Sequence, residues 1–282
     1  MQLDTALRAA VRQLESARCG SPRTNAETLL MFLLGVDRAF LYAHPERVLT
    51  PEEQARYDQL IAQRALGVPS QYLTGHQEFW GLDFLVSPAV LVPRPETEHL
   101  VETVLELAHG VDQPNIVDVG TGSGCIALAL AHELKSARIY ALDLSAQALE
   151  IARANAARLQ LDQRVTFLES NVLSALSGRN DFDFVVSNPP YVGLDEAAKV
   201  QRSVFEYEPH MAVFAGEHGL DMIRPLIGQA HAALKPAGWL AMEIGYSMRD
   251  SVLALLSPTL WDDTRVVPDL QGIPRVIAAR KR

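Results

Sequence analysis

Asn188-Pro189-Pro190-Tyr191 follows the apolar run Phe184-Val185-Val186-Ser187 without a break. A side-chain amide beside two prolines at a strand end suits recognition of a planar NH2 group. The Asn188 side-chain oxygen and the Pro189 carbonyl can each accept one N–H, because no proline nitrogen competes as a donor. Two acceptors fix the direction of the nitrogen lone pair. They also stabilise positive charge that develops on nitrogen when it attacks an electrophile. Tyr191 is suited to stack on the planar group and to bound the path of the transferred carbon.

A second group of residues reads as a nucleoside site. Asp118-Val119-Gly120-Thr121-Gly122-Ser123-Gly124 lies where an apolar strand gives way to a helix. Glycines at such a turn let a ligand approach the backbone with no Cβ in the way. Asp143, in Ala141-Leu142-Asp143-Leu144-Ser145, closes the next strand and can accept from both ribose hydroxyls. The two features together describe a site at the carboxyl edge of a parallel sheet. A dinucleotide fingerprint needs glycine at its first, third and sixth positions. Here Cys125 occupies the sixth, and the third glycine comes one place early. That spacing suits a cofactor without a pyrophosphate, so S-adenosylmethionine is preferred over NAD.

These residues need elements to carry them. From about residue 95, strands and helices alternate. Strands are expected at Ile116–Val119, Arg138–Leu142, Val165–Leu168, Phe184–Ser187, Trp239–Ile244 and Arg275–Ala279. Helices are expected at Cys125–His132, Ala146–Leu159, 220–234 and 247–256, with another beginning near Glu96. Alternation of this kind predicts a mostly parallel α/β sheet covered on both faces. Residues 1–75 read instead as short helices. Asp4 is expected to cap the first and Asn25 the second, which Gly35 stops. Thr50-Pro51-Glu52-Glu53 carries the signature of a capping box with a first-turn proline. Residues 76–94, with Phe79, Trp80, Phe84 and Val86 around Gly81, read as a hairpin linker. The expected organisation is therefore 1–75 helical, 76–94 linker and 95–282 catalytic.

Composition narrows the function. The chain has 282 residues, a net charge of −9 and two cysteines, with a mean hydropathy of +0.04. No apolar run approaches the roughly 20 residues of a membrane span, and the start lacks the pattern of a signal peptide. A reduced, cytoplasmic protein is expected, with no disulfide framework and no metal site. Residues 1–75 hold eight arginines against eight acidic groups, so the remainder carries the whole negative charge. A nucleic-acid enzyme would ordinarily show a basic face, and the only dense basic run is Arg280-Lys281-Arg282.

The glycine turn, the acidic strand end and Asn-Pro-Pro-Tyr together resemble class I methyltransferases acting on planar nitrogen. Two further segments narrow the resemblance: Gly75-His76-Gln77-Glu78-Phe79-Trp80-Gly81, and Leu91-Val92-Pro93-Arg94-Pro95-Glu96-Thr97-Glu98. With Glu208-Pro209, Gly219-Leu220 and Glu243-Ile244-Gly245, the chain is similar almost throughout to the peptide chain release factor N(5)-glutamine methyltransferases, the HemK or PrmC family. The resemblance implies a Rossmann-like class I methyltransferase domain preceded by a small helical bundle and a β-hairpin linker. It implies transfer of a methyl group from S-adenosyl-L-methionine to the glutamine amide in the Gly-Gly-Gln loop of class 1 peptide chain release factors. By position, Gly120, Thr121, Gly122, Ser123 and Gly124 would cradle the methionine part of the cofactor and Asp143 its ribose. Asn188, Pro189, Pro190 and Tyr191 would bind the glutamine. Asn171 and Val172 stand where relatives often carry an aspartate and an aromatic residue at the adenine, and Met248 where they often carry glutamine. The helical module is expected to dock the protein substrate.

Two other substrates fit the same active-site chemistry, a ribosomal-protein glutamine and the N6 amine of adenine. The acidic catalytic domain disfavours adenine in a nucleic acid. Cys125 opens a helix, where a thiolate can be stabilised, but an inert core position is expected. Glu96 and Glu98 either complement a helix dipole or shape the substrate mouth.

Overall fold

The computed structural model describes all 282 residues, which divide into two compact units. The first comprises Met1–His76 with Gln201–Tyr207, and the second Gln77–Val200 with Glu208–Arg282.

The first unit is built on α1 (Leu3–Ser16), α2 (Pro22–Leu34), α3 (Arg38–Ala43), α4 (Pro51–Ala65) and α5 (Ser70–Thr74). Its core gathers Leu3, Leu14, Leu29, Leu30, Tyr57 and Ile61, all essentially buried. The Tyr57 hydroxyl, too deep to reach water, donates to the Ala26 carbonyl at 2.9 Å. The capping box forms at α4: Glu53 N–H donates to Thr50 Oγ1, and Thr50 N–H donates to the Glu53 carboxylate. Gly35 ends α2 in the left-handed conformation.

Two expected caps are displaced. The N-cap of α1 is Gln2, and Asp4 lies inside the first turn, paired with Arg8 four residues on. The N-cap of α2 is Ser21, because Pro22 is preorganised for a first helical position. Asn25 is therefore helical, and its amide donates back to the Gly20 and Ser21 carbonyls.

A hairpin of β1 (His76–Phe79) and β2 (Leu82–Leu85) follows, all but His76 in the second unit. A 3-10 turn at Pro95–Thr97 leads into α6 (Glu98–Leu107), where a regular helix from Glu96 was expected. There follow β3 (Asn115–Val119), α7 (Cys125–Glu133), β4 (Arg138–Asp143), α8 (Ala146–Arg158), β5 (Val165–Glu169) and β6 (Phe182–Ser187). Then come α9 (Arg202–Tyr207), which belongs to the first unit, and α10 (His210–Val213). The chain closes with α11 (Ile223–Ala233), β7 (Leu234–Glu243), α12 (Arg249–Leu253), β8 (Trp261–Pro268) and β9 (Pro274–Lys281).

Seven strands form one sheet in the order β5-β4-β3-β6-β7-β9-β8. β3 to β7 run parallel, and β9 is antiparallel to both β7 and β8. The central strands are continuous apolar runs because helices cover both of their faces. One core holds Ile116, Leu128, Phe184 and Val186, and a second holds Val117, Leu142, Val185 and Leu240. No helix is long and apolar enough to cross a membrane.

The chain leaves β3 for β4 on one side and, later, for β6 on the other, so the sheet reverses its winding between β3 and β6. A ligand crevice is expected beyond the carboxyl ends of strands at such a point. The register makes this concrete. Val119 is level with Leu142 on β4 and with Ser187 on β6. The next residues along the three strands, Gly120, Asp143 and Asn188, therefore emerge side by side.

Candidate active site

A cavity of about 310 Å³ opens at that edge, within the range of small-molecule sites. Gly120, Thr121, Gly122 and Ser123 line it, as do Asp143, Asn171 and Val172. Asn188, Pro189 and Pro190 form another part of the wall. Gly124 and Tyr191 do not border it. Gly124 lies behind the turn against Ala152, and Tyr191 turns its hydroxyl toward Glu243 at 3.2 Å.

The glycine turn is held from below. The N–H groups of Gly120 and Thr121 both donate to the Leu142 carbonyl at 2.8 Å. Gly122 N–H donates to Asp143 Oδ2 at 2.8 Å, and Ser145 N–H to Oδ1 at 2.9 Å. Asp143 thus braces the turn, and its carboxylate keeps lone pairs beyond these two bonds. Burial nevertheless raises its pKa from the usual aspartate value.

The wall fits an S-adenosylmethionine-sized ligand. A Cβ built on Gly120 or Gly122 meets no atom within 4 Å, so open space adjoins the turn. Ser123 Oγ is buried without a hydrogen-bond partner, and Asp143 is the only carboxylate on the wall. Val172 adopts φ +52°, a strained conformation for a β-branched residue. Ser170 Oγ donates to its carbonyl at 2.9 Å, and Leu173 N–H donates to Gln229 Oε1 at 2.9 Å. The conformation is thus held from both sides.

From Asn188 and Thr97, both on the wall, a polar chain leads inward to Glu243. Asn188 Nδ2 donates to Thr97 Oγ1 at 3.1 Å, and Thr97 donates to Glu243 Oε2 at 2.6 Å. Both Thr97 and Glu243 are buried. Burial pushes the Glu243 carboxyl above its usual range, against the Thr97 and Tyr191 bonds and the Arg275 charge. Burial also raises the Tyr191 phenol. Nearby, the buried Glu208 carboxylate accepts from Val92 N–H at 3.1 Å and from the Arg94 guanidinium. It thereby fixes a segment whose Val90, Leu91, Pro93 and Arg94 border the cavity.

The backbone after Asn188 is stitched to a second loop. Val192 N–H donates to the Val213 carbonyl at 3.0 Å, Ala215 N–H to Val192 at 3.0 Å, and Leu194 N–H to Gly216 at 2.9 Å. Gly219, at φ +75°, approaches so closely that a Cβ there would sit 2.2 Å from the Tyr191 carbonyl oxygen.

Thr97, Glu208 and Glu243 have no role in the sequence reading beyond the motifs that contain them. Glu243 alone carried a local signal, a carboxylate closing the apolar stretch Leu240-Ala241-Met242; Thr97 and Glu208 stand among other polar residues and carried none. Cys125 borders the cavity but is buried, and burial pushes its thiol up to about 12. At neutral pH it is therefore a thiol, which suits a packing residue. Glu98 is engaged by Trp80 N–H at 2.8 Å and does not line the cavity. No cluster of three or more His, Cys, Asp or Glu is placed to hold a metal ion.

Two family models match the chain. Residues 5–75 match the family model described as the PrmC N-terminal domain, and residues 95–217 the methyltransferase small domain. The release factor glutamine methyltransferase of Koribacter versatilis is 56% identical over 281 residues, covering 100% of this chain and 99% of that one. That of Moorella thermoacetica is 43% identical over 283 residues, with the same coverage of both chains. Among solved structures, the hMettl16 catalytic domain in complex with a 3′UTR hairpin matches with a TM-score of 0.58 at 18% identity, covering 78% of this chain and 81% of that one. A methyltransferase from Pyrococcus furiosus matches at 0.51 and 16%, covering 80% and 98%. At such identities these two matches speak for the fold alone.

Proposed function

This chain belongs to the HemK or PrmC family of release factor glutamine methyltransferases, and on that premise we propose that it methylates the glutamine amide nitrogen in the Gly-Gly-Gln loop of class 1 release factors. We propose S-adenosyl-L-methionine as the donor. The observation that carries the reading is that Asn188 and Pro189 share one cavity with Gly120–Ser123 and Asp143.

When bound, S-adenosylmethionine supplies an electrophilic methyl group on a sulfonium. Gly120 to Ser123 would hold its methionine part, with Gly124 shaping the turn from behind. Asp143 would take the ribose hydroxyls with its remaining lone pairs, and Asn171 and Val172 would border the adenine. At the other end, Asn188 Oδ1 and the Pro189 carbonyl would accept the two amide N–H groups of the substrate glutamine. An amide nitrogen is a poor nucleophile because its lone pair is delocalised. Two acceptors become stronger partners as that nitrogen turns cationic, so they bind the transition state more tightly than the ground state. Alignment at roughly 3–3.5 Å supplies most of the rest.

The titratable groups on the wall are Asp143, Arg94 and Cys125, and none suits a base at Asn188. The proton therefore leaves to water after transfer. Tyr191, being off the wall, supports the loop through Glu243 instead of bounding the methyl path. We assign the helical residues 1–75 to docking of the protein substrate, and place the reaction in the cytoplasm, where release factors act.

The test is transfer of tritiated methyl from S-adenosylmethionine to purified, unmethylated class 1 release factor, beside a copy with the loop glutamine changed to alanine. Label on the first and none on the second is expected. Label on neither overturns the substrate assignment, and label on ribosomal protein or nucleic acid replaces it.

A further inference from the structure

We propose that Thr97 and Glu243 are positioning residues that set the direction of the Asn188 amide, turning its oxygen, and not its NH2, toward the substrate nitrogen. The inference rests on the reading of Asn188 as an acceptor and names what enforces it.

An asparagine amide has two ends of nearly equal size, one accepting and one donating. Rotation by half a turn would exchange them at the wall and put a donor where the substrate N–H must land. Something must forbid that rotation. Thr97 Oγ1 lies 3.1 Å from Asn188 Nδ2 and 2.6 Å from Glu243 Oε2. A hydroxyl has one proton, and a carboxylate can only accept. The Thr97 proton is therefore committed to Glu243, and the lone pairs it leaves toward Asn188 can only accept. Asn188 must answer with its NH2, which leaves Oδ1 for the cavity. The far oxygen of Glu243 accepts from the Tyr191 hydroxyl at 3.2 Å, so the carboxylate is held by the same loop whose amide it directs.

The device draws on three separate elements: the 3-10 turn before α6, the end of β7 and the loop after β6. Thr97 borders the cavity but is 2% exposed, and Glu243, also 2% exposed, lies off the wall, where water does not readily replace it. Burial raises the Glu243 pKa and so works against the ionised form that the device needs, which the Thr97 and Tyr191 bonds and the Arg275 charge favour. A protonated Glu243 could donate to Thr97, free the hydroxyl to donate onward, and so reverse the amide. Around it stand Thr97 and Tyr191 as hydrogen-bond donors, Arg275 as the favourable charge, Glu96 as the opposing one and the neutral Cys125 thiol.

The experiment is a double-mutant cycle in the full-length chain, read as methyl transfer to the release factor, with S-adenosylmethionine affinity measured by calorimetry on every variant. Thr97→Val keeps the shape and removes the hydroxyl. It should lower kcat about a hundredfold while changing cofactor affinity less than about threefold, and Thr97→Ser should restore most of the loss. In the Asn188→Asp background, both side-chain ends are oxygens and no direction remains to be set. There Thr97→Val should cost nothing, or raise the rate by removing the lone pairs facing a second carboxylate. A structural role alone would give the same fractional loss in both backgrounds, and that result overturns the proposal, as does a serine variant no better than valine. An Asn188→Asp chain that binds cofactor but never transfers methyl would overturn the acceptor reading itself. Absence of transfer by the unaltered chain would instead overturn the substrate assignment, and with it the role given to Asn188.

Discussion

At the scale of single residues, the proposed mechanism separates groups that would touch ligand from groups that would direct them. If Asn188 Oδ1 stabilises charge only as it develops, Asn188→Ala should lower kcat by about a hundredfold or more and leave S-adenosylmethionine affinity within a few-fold. Equal losses in both would contradict that division. Asn188, Asp143 and the glycine turn were legible because each is a polar or glycyl interruption directly after an apolar strand. The roles of Thr97 and Glu243 were not, since their meaning lies in partners 91 and 146 residues away. Asp118 gives a prediction of another kind. Burial pushes its carboxyl from 3.8 up to about 7, and its Oδ1 has no partner. The folded chain therefore holds a proton that the unfolded chain releases near pH 4. Stability from this group is full below about pH 4, falls as pH rises toward 7, and is flat above. Glu243, also raised by burial, adds in the same direction. Asp118→Asn should remove its share of the slope. Its stability relative to the parent, measured by urea unfolding of the ligand-free protein, should climb between pH 4 and 7 by up to about 4 kcal/mol. A parallel pair of curves would refute the assignment.

At the scale of elements, register does the positioning. Because Val119 is level with both Leu142 and Ser187, a one-residue slip of β6 would carry Asn188 away from the turn and reverse which face its neighbours occupy. The parallel core was readable from the alternation of apolar runs with helical periods. The strand β8 was not. It is an edge strand carrying Asp262, Asp263 and Arg265, with one face wet, so it shows no apolar run. The early start of β7 was hidden by Lys235-Pro236-Ala237-Gly238, which reads as a turn, with Ala237 at φ +63°. The loop that carries Asn188 depends on its partner loop, and Gly219 is where the two come closest. A Cβ there, 2.2 Å from the Tyr191 oxygen, would force the loops apart by about an ångström. Gly219→Ala should then cost about a hundredfold in kcat through misplacement, while the glycine turn, on other strands, keeps its cofactor affinity. Unchanged turnover would show that the loop is not positioned by this contact.

At the scale of the whole molecule, charge and connectivity limit what the enzyme can select. The residues after 75 carry the entire −9, which is unfavourable toward a phosphate backbone, and the proposed function assigns specificity to surface matched on a protein. A glutamine between small residues offers little area, whereas specific protein recognition buries about 800 Å² on each partner. The change from helical periods to a hairpin near residue 76 was visible in the sequence. The return of Gln201–Tyr207 to the helical unit was not, because a six-residue helix announces itself only through its contacts. That return matters for experiments. Tyr207 donates to the Leu66 carbonyl at 3.2 Å, and Gly67 packs on the Tyr207 ring. Deleting residues 1–75 would therefore strip partners from a segment that immediately precedes Glu208, and loss of activity would not isolate docking. Shortening the substrate instead leaves the enzyme intact. A peptide carrying only the Gly-Gly-Gln loop should react with kcat within about tenfold of the whole factor, while its KM rises by about a hundredfold or more as the docking area is lost. Should the peptide match the whole factor in KM, recognition would lie in the cavity alone and the helical unit would need another role. A fall confined to kcat would mean that binding energy from the rest of the factor is used to align the glutamine against Asn188.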